Sequence, residues 1–250
     1  MSGPTWVLLR GLTRESRHWG GFAQVLGQAV HAARVIALDL PGNGALHRSR
    51  SPASVEAMAA HCRAELRRCG VAPPYHVLAM SLGAMVATAW AVTARDEIAA
   101  AVLINTSMRP FSPFHQRLRP ANCATLLRLL LTRASETRWE GAVLAMTSRA
   151  RGRDDAALLR AWVAYRHECP VAAANALRQL WAAARFRAPL RNPFSRVLVL
   201  GSMSDALVDV RCSQQLAHHW SCDVRLHPWA GHDLPLDDGA WVAAQVNDWC

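Results

Sequence analysis

The chain has no lysine, so all 28 of its basic residues are arginine. It also lacks a long uninterrupted apolar run, because the longest candidate, residues 82–104, is broken by charged residues at 95–97. A membrane span needs about 20 mostly apolar residues, and a signal peptide needs a basic region followed by an apolar stretch. Neither pattern is present, so we expect a cytoplasmic protein with no membrane partner.

Cysteine is present, but not in the spacings that bind metal. The seven cysteines stand singly, with no Cys-x-x-Cys pair and no mixed cysteine–histidine pattern. Zinc sites use such spacings, so we predict no metal and no organic cofactor. Scattered cysteines in a reducing compartment are typically small buried residues, and we expect that here.

Acidic residues are scarce in one part of the chain. Residues 109–190 contain fourteen arginines and five acids, a net charge of +9, whereas the remainder has fourteen arginines and thirteen acids. Two interpretations stay open: a solvated helical surface, or a landing surface for an acidic partner or anionic substrate, since guanidinium groups bind carboxylate and phosphate well. No nucleic-acid recognition motif accompanies the arginines, so we expect no nucleic-acid partner.

Six short stretches rich in apolar, β-favouring residues predict strands, and most are separated by helical patterns. Strands that alternate with helices predict an α/β fold with a mostly parallel sheet, covered on both faces. Ser54 is a candidate helix N-cap, and Gly70 a stop signal. The predicted strands are residues 5–9, 34–39, 75–80, 99–105, 196–201 and 222–227.

Residues 109–190 interrupt this alternation. They are rich in arginine, leucine and alanine and predict several helices but no strand. We therefore expect an α/β core made of residues 1–108 and 191–250, and an arginine-rich helical cap, residues 109–190, over the carboxyl ends of the strands. A chain of this length can bury most of its apolar surface in one core.

Ser81 has the sequence context of a nucleophile. It directly follows the third predicted strand, precedes an alanine-rich helix, and has the small residues Ala79 and Gly83 two positions away on either side. A serine on a sharp strand-to-helix turn needs small neighbours, and the turn exposes its hydroxyl. The helix N-terminus behind it, at Leu82, would supply a backbone amide to a developing oxyanion.

Two further residues at strand ends complete a catalytic constellation. Asp205 follows the fifth strand and His232 follows the sixth, in the chain order Ser, Asp, His. Serine needs a base to take its proton, and a histidine base needs an acid to fix its tautomer. Asp209 and Asp233 are alternative acids. Other polar residues have structural interpretations: Asp39 would bond loop amides, and His218-His219 would be solvated.

These segments resemble the α/β-hydrolase superfamily over essentially the whole chain. The matching segments are Arg10-Gly11, residues 39–44 (Asp-Leu-Pro-Gly-Asn-Gly), the Ser81 turn, residues 201–205 (Gly-Ser-Met-Ser-Asp), and Gly231-His232. Within the superfamily the chain is most similar to small capped carboxylesterases of the pimeloyl-[acyl-carrier protein] methyl ester esterase type.

The resemblance assigns a second oxyanion donor to the amide of Leu12, and two positions depart from it. The family usually has His-Gly where this chain has Arg10-Gly11. The group that binds the oxyanion there is a backbone amide, so the change of side chain leaves the oxyanion hole possible. Arg10 would either meet an acyl carboxylate or pair with an acid. Ala79 replaces the more usual glycine and is still small.

The combined features predict a serine hydrolase of the carboxylesterase class that cleaves an ester or thioester through an acyl-Ser81 intermediate. An acidic acyl carrier protein on the arginine-rich cap is an expected partner. The same residues would also serve acyl transfer, lactone opening, carbon–carbon bond hydrolysis or perhydrolysis. A different class of alternative is a non-catalytic receptor or scaffold that keeps the pocket for binding.

Overall fold

Six strands form one sheet in which every neighbouring pair is parallel, in a computed structural model that describes residues 3–131, 134–149 and 156–250. Five charged residues of the arginine-rich segment and the side chain of Cys123 lie outside this description. The charged residues are Arg133, Arg151, Arg153, Asp154 and Asp155. The strands are Thr5–Leu9 (β1), Arg34–Leu38 (β2), Tyr75–Met80 (β3), Ile98–Ile104 (β4), Val197–Ser202 (β5) and Asp223–His227 (β6).

Alternate side chains of the strands enter two separate apolar clusters. Val7 and Val77 pack on one face of the sheet, and Leu8 and Leu78 pack on the other. Because both faces of the sheet are buried, the sequences of these strands are continuous apolar runs. The predicted strands are confirmed to within one residue at each end, and the α/β fold class is confirmed.

The helices cover both faces of the sheet. Helices α2, α3 and α9 belong to one cluster, and α1 and α11 to the other. Ser54 caps α2 as predicted, because its hydroxyl accepts the amide of Ala57. The flanking helices are Phe22–Ala29 (α1), Val55–Arg68 (α2), Leu82–Thr93 (α3), Arg211–Trp220 (α9), Leu234–Asp237 (α10) and Gly239–Trp249 (α11).

The strand order β2-β1-β3-β4-β5-β6 places a topological switch point between β1 and β3. From β1 the chain first adds a strand on one side and then crosses to the other, so the connections that follow β1 and β3 lead to opposite sides of the sheet. Ligands of open α/β sheets bind at such a point, outside the carboxyl ends of the strands. Ser81 and the loop that begins at Arg10 lie there.

In the described part of residues 109–190, regular structure is helical apart from an isolated bridge between Arg109 and Arg187. Helices α6 and α8 hydrogen-bond to loops at the carboxyl ends of the strands. That location is the one expected of a cap, whereas the division into two domains stays a prediction. The helices are Phe114–Arg117 (α4), Pro120–Leu131 (α5), Glu136–Thr147 (α6), Ala156–Glu168 (α7) and Ala173–Arg185 (α8).

The expectation that the cysteines are buried is wrong for part of the set. Cys62 and Cys212 are buried, but Cys69 and Cys250 are exposed, and Cys169 and Cys222 are half-buried. Cys69 directly follows the last residue of helix α2, and Cys250 is the last residue of the chain. Little packs against either position. Among the helices in the described ranges, none is both long and apolar enough to cross a membrane.

Candidate active site

Ser81 occupies a strained backbone turn between β3 and α3. Its φ and ψ angles are 53° and −117°, a region that side chains other than glycine rarely adopt. The turn is held on both sides of the residue: the Ser81 amide donates to the carbonyl oxygen of Ile104 at 2.9 Å, and Thr106 Oγ1 donates to the Ser81 carbonyl oxygen at 3.0 Å. The serine is therefore fixed at the top of the sheet with its side chain half-buried.

The small residues around Ser81 are required by close backbone approach. A Cβ atom on Gly83 would lie 2.4 Å from the carbonyl oxygen of Leu9, closer than real contacts allow. A Cβ atom on Gly11 would lie 3.1 Å from the Ser81 Cβ. Ala79 is completely buried. The loop after β1 thus lies directly against the serine turn.

Asp205 and His232 form a buried hydrogen-bonded pair. His232 Nδ1 lies 2.7 Å from Asp205 Oδ2. The other carboxylate oxygen accepts the amides of Leu207 and Val208 at 2.7 and 3.0 Å, which fixes the carboxylate in the loop after β5. An anionic Asp205 places the proton of a neutral imidazole on Nδ1, so Nε2 is left as the acceptor.

The surroundings of His232 shift its basicity. Burial lowers the pKa of His232, but the charge of Asp205 and the hydrogen bond to it act in the opposite direction, with a smaller contribution from Asp233. Arg10 lowers the pKa slightly. The net result is a pKa raised above the ordinary value of histidine, so the imidazole is a stronger base than one in water.

The two alternative acids are engaged elsewhere. Asp209 pairs with Arg211 at 2.7 Å, and this arginine lowers the pKa of Asp209 to about 2. Asp233 is held by Arg10, whose two terminal nitrogens donate to its two oxygens at 3.0 and 2.6 Å. Among the described side chains, Asp205 is the carboxylate that hydrogen-bonds to His232.

Arg10 joins three segments around the site. Besides its paired contact with Asp233, it donates to Met80 Sδ at 3.7 Å, and its guanidinium lies 4.8 Å from the centre of the Trp19 ring. Arg10 and Asp233 are both buried. Of the two roles considered for Arg10, the structure shows pairing with an acid, and the acid follows His232 directly in the chain.

The end of β4 links the serine turn to the histidine loop. Asn105, whose φ is +45°, donates from Nδ2 to the carbonyl oxygen of His232 at 2.8 Å and to that of Gly231 at 3.2 Å. Its Oδ1 accepts the amide of Ser202 at the end of β5. Sequence reasoning missed Asn105, because an asparagine at a strand end indicates a turn rather than a specific partner.

Within residues 3–131, 134–149 and 156–250, no hydrogen bond joins Ser81 Oγ to His232. Catalytic hydrogen bonds in ligand-free enzymes are often long and become shorter when substrate binds.

In the same ranges, the amides of Leu12 and Leu82 donate to no protein acceptor. Leu82 is the first residue of α3, where an amide has no intrahelical partner, and Leu12 follows Gly11, which contacts Ser81. Both amides are thus available near the serine.

Helix α6 and the residues that follow it contact the loops of both His232 and Asp205. The amide of Asp233 donates to the Thr147 carbonyl oxygen at 2.7 Å, and Arg149 Nε donates to the Ser204 carbonyl oxygen at 3.0 Å. Near the middle of the helix, buried Glu140 accepts from Arg14 at 2.7 Å. Helix α6 therefore contacts the loops after β1 and β6, and Arg149 just beyond it contacts the loop after β5.

The remaining candidates have structural roles. Asp39 accepts the amides of Ser16 and Ala45, as predicted, and His218 and His219 are exposed on α9, also as predicted. In the part of the chain that the structure describes, no group of three or more histidine, cysteine or acidic side chains could hold a metal ion.

A family model described as the alpha/beta hydrolase fold matches residues 4–239. The chain belongs to the α/β-hydrolase family. A search of curated proteins finds no match. The resemblance to pimeloyl-[acyl-carrier protein] methyl ester esterases therefore stays an expectation.

Several solved structures share the fold of this chain at low sequence identity. A putative non-heme bromoperoxidase, BpoC, from Mycobacterium tuberculosis H37Rv is 21% identical with a TM-score of 0.76, over 99% of this chain and 92% of that chain. A thermophilic esterase from Thermogutta terrifontis is 20% identical with a TM-score of 0.74, over 99% and 89%. Est816, described as an N-acyl homoserine lactone degrading enzyme, is 17% identical with a TM-score of 0.73, over 100% and 94%. These similarities concern the fold.

Proposed function

We propose that this α/β hydrolase is a serine carboxylesterase that cleaves a carboxylic ester or thioester through an acyl-Ser81 intermediate. The observation that carries the proposal is the buried 2.7 Å bond between His232 Nδ1 and Asp205 Oδ2. This bond holds the proton on Nδ1, so Nε2 is the proton acceptor. Asn105 hydrogen-bonds to the His232 loop and so holds it beside the strained turn of Ser81.

The reaction has two halves. His232 Nε2 takes the proton of Ser81 Oγ while the oxygen attacks the carbonyl carbon, and the amides of Leu12 and Leu82 stabilise the oxyanion. The bond to the leaving oxygen or sulfur breaks, and the imidazolium protonates that atom. A water molecule, deprotonated by the same imidazole, then attacks the acyl-enzyme and releases the acid and the Ser81 hydroxyl.

The names of two fold neighbours support ester chemistry, since one is an esterase and another degrades N-acyl homoserine lactones. An acidic acyl carrier protein as the donor of the acyl group stays a prediction. It would meet the arginines of residues 109–190, and raising the salt concentration should then slow a carrier-bound ester more than a small neutral ester.

Hydrolysis of p-nitrophenyl esters from acetate to decanoate tests the proposal, with wild type and Ser81→Ala compared. We expect the wild type to hydrolyse these esters and Ser81→Ala to be inactive. A fluorophosphonate probe should label Ser81 of the wild type covalently. Failure of the probe to label the wild type, together with no ester hydrolysis, would contradict the proposal and favour a non-catalytic binding protein.

A further inference from the structure

Helix α8 is oriented with its polar side toward the protein. Gln179, which is completely buried, accepts the Thr13 amide at 2.9 Å and donates to Asn43 Oδ1 at 2.7 Å. One turn earlier, buried Asn175 accepts the Ser51 amide at 3.0 Å and donates to the Ser49 carbonyl oxygen at 2.9 Å. Amide side chains thus fix α8 on the loops that follow β1 and β2.

The apolar side of the same helix faces outward. Leu177 is 64% exposed, Leu180 43% and Trp181 56%. Positions i, i+3 and i+4 form one stripe on a helix, so these side chains lie together on the face opposite Gln179. A surface helix normally buries its apolar stripe and exposes its polar one. The reversed arrangement indicates a surface that has a binding role.

Arginines without nearby acids in the chain lie at the C-terminal end of this stripe. Residues 98–135 and 169–204, which contain α4 and α8, each have five arginines and no aspartate or glutamate. The bridge between Arg109 and Arg187 joins the two segments, and Arg117 donates to the carbonyl oxygens of Ala183 and Ala184 at the end of α8. The arginines that are exposed at this end of α8 are Arg109, Arg185, Arg187 and Arg191.

The aromatic residues of this region are also exposed. The Arg185 guanidinium lies 5.2 Å from the centre of the Trp181 ring, an arrangement that leaves both side chains at the surface. Phe114 on α4 is 79% exposed, on the helix whose Arg117 is bonded to the end of α8. Protruding leucine and aromatic side chains next to arginines are the pattern of helices that lie in the headgroup region of a bilayer.

We propose that the outward face of α8, together with the four exposed arginines at its end, is a peripheral binding surface for an anionic lipid bilayer. The expectation of no membrane partner rests on the lack of a membrane-spanning stretch. Such a lack says nothing about peripheral binding to a membrane surface. The apolar stripe supplies insertion, and the arginines supply attraction to negatively charged headgroups. Charge complementarity alone would suit an acidic protein, but the protruding stripe favours lipid.

This surface lies on the same side of the sheet as Ser81, because the buried face of α8 bonds to loops at the carboxyl ends of β1 and β2. A docked bilayer would therefore adjoin the side of the molecule where an acyl ester enters. Binding itself does not depend on the proposed esterase activity, so the two proposals can fail separately.

Flotation of the protein with vesicles tests the binding. We expect association with phosphatidylglycerol vesicles, little with phosphatidylcholine vesicles, and loss of association at high salt. The variant Leu177→Gln/Trp181→Gln should bind at least about tenfold more weakly, since two apolar side chains lose their insertion. Arg185→Gln should weaken binding about fivefold. Matched controls are Val92→Gln and Arg34→Gln, exposed residues outside this surface.

Bromine-labelled acyl chains separate insertion from simple adsorption. They should quench the fluorescence of Trp181, so Trp181→Phe should lose most of the quenching. Phosphatidylglycerol binding that is unchanged by the Leu177/Trp181 variant would be adsorption of a basic protein and would overturn the proposal. Absence of vesicle binding, with retention on an acidic polypeptide such as polyglutamate, would also overturn it and favour an acidic protein partner. Hydrolysis of a short soluble ester should be the same in all these variants.

Discussion

Helices α3 and α8 both lie beside the candidate active site, but opposite kinds of contact hold them there. In α3 every residue from 82 to 91 is buried, and the side chains are nearly all apolar. In α8 the buried face carries Asn175, Gln179 and Ala182, while leucine and tryptophan are exposed. Helix α3 is thus placed by non-directional apolar burial, and α8 mainly by directional hydrogen bonds.

The difference separates the helix that positions the candidate nucleophile from the helix that covers the site. Apolar burial holds α3 so firmly that its first turn can keep Ser81 in a strained conformation. Fewer apolar contacts hold α8, and those are with small residues such as Ala182, so its position depends more on single polar pairs. Perturbing the first region should therefore affect chemistry most, and perturbing the second should affect the placement of the cap.

The largest effect is expected from Ser81→Gly. Loss of the nucleophile should lower kcat for an ester by roughly 10⁴-fold or more. Glycine also adopts a φ of +53° without strain, so the free energy of unfolding should rise by about 1 kcal/mol. Urea unfolding measures the gain. Ser81→Ala, which keeps the strain, is the control and should lose activity without becoming more stable. Equal stability of the two variants would mean that the turn stores little strain.

A second test removes the charge that orients the base. Asp205→Asn should lower kcat by on the order of 10³-fold, because the imidazole loses its fixed tautomer. In the wild type the base is active only above the raised pKa of His232, so kcat/KM should fall as pH decreases through a value above about 6.5. The variant loses both effects of Asp205 that raise this pKa, so the acid limb should move to lower pH. An unmoved limb would mean that another group controls it.

The third test concerns the buried Arg10–Asp233 pair. Arg10→Met leaves the Asp233 carboxylate buried without its partner, which should cost about 3–5 kcal/mol of unfolding free energy. The double variant Arg10→Met/Asp233→Leu removes both charges and should recover most of that loss. Thermal unfolding of the two variants and the wild type checks this. If the double variant is no more stable than the single one, the pair is not the source of the effect.

Local features allowed much of this arrangement to be predicted. The strands, the Ser81 turn and the positions of Asp205 and His232 follow from stretches of a few residues whose steric needs are visible in sequence, as Gly83 against Leu9 illustrates. The alanine-rich helix that follows Ser81 was likewise predictable from a short stretch of sequence.

Distant polar partners could not be predicted in the same way. Arg10 and Asp233 are 223 residues apart in the chain, and Gln179 and Thr13 are 166 apart. Which polar groups meet depends on how loops from different strands close on one another. The sequence of α8 therefore does not reveal that its glutamine faces inward and its tryptophan outward, and Asn105 gives no sign of its contact with His232.

The smallest effect is expected where a polar contact places the cap. Gln179→Ala removes the side chain that bonds to the Thr13 amide and to Asn43 Oδ1, which should cost about 1–3 kcal/mol. Because Thr13 follows Leu12, the amide that we propose for the oxyanion should also be less well placed, and kcat should fall by about tenfold while KM changes little. Gln214→Ala, on the exposed face of α9, is the matched control and should change neither quantity. A Gln179 variant with lower stability but unchanged kcat would show that α8 supports the fold without acting on the oxyanion loop.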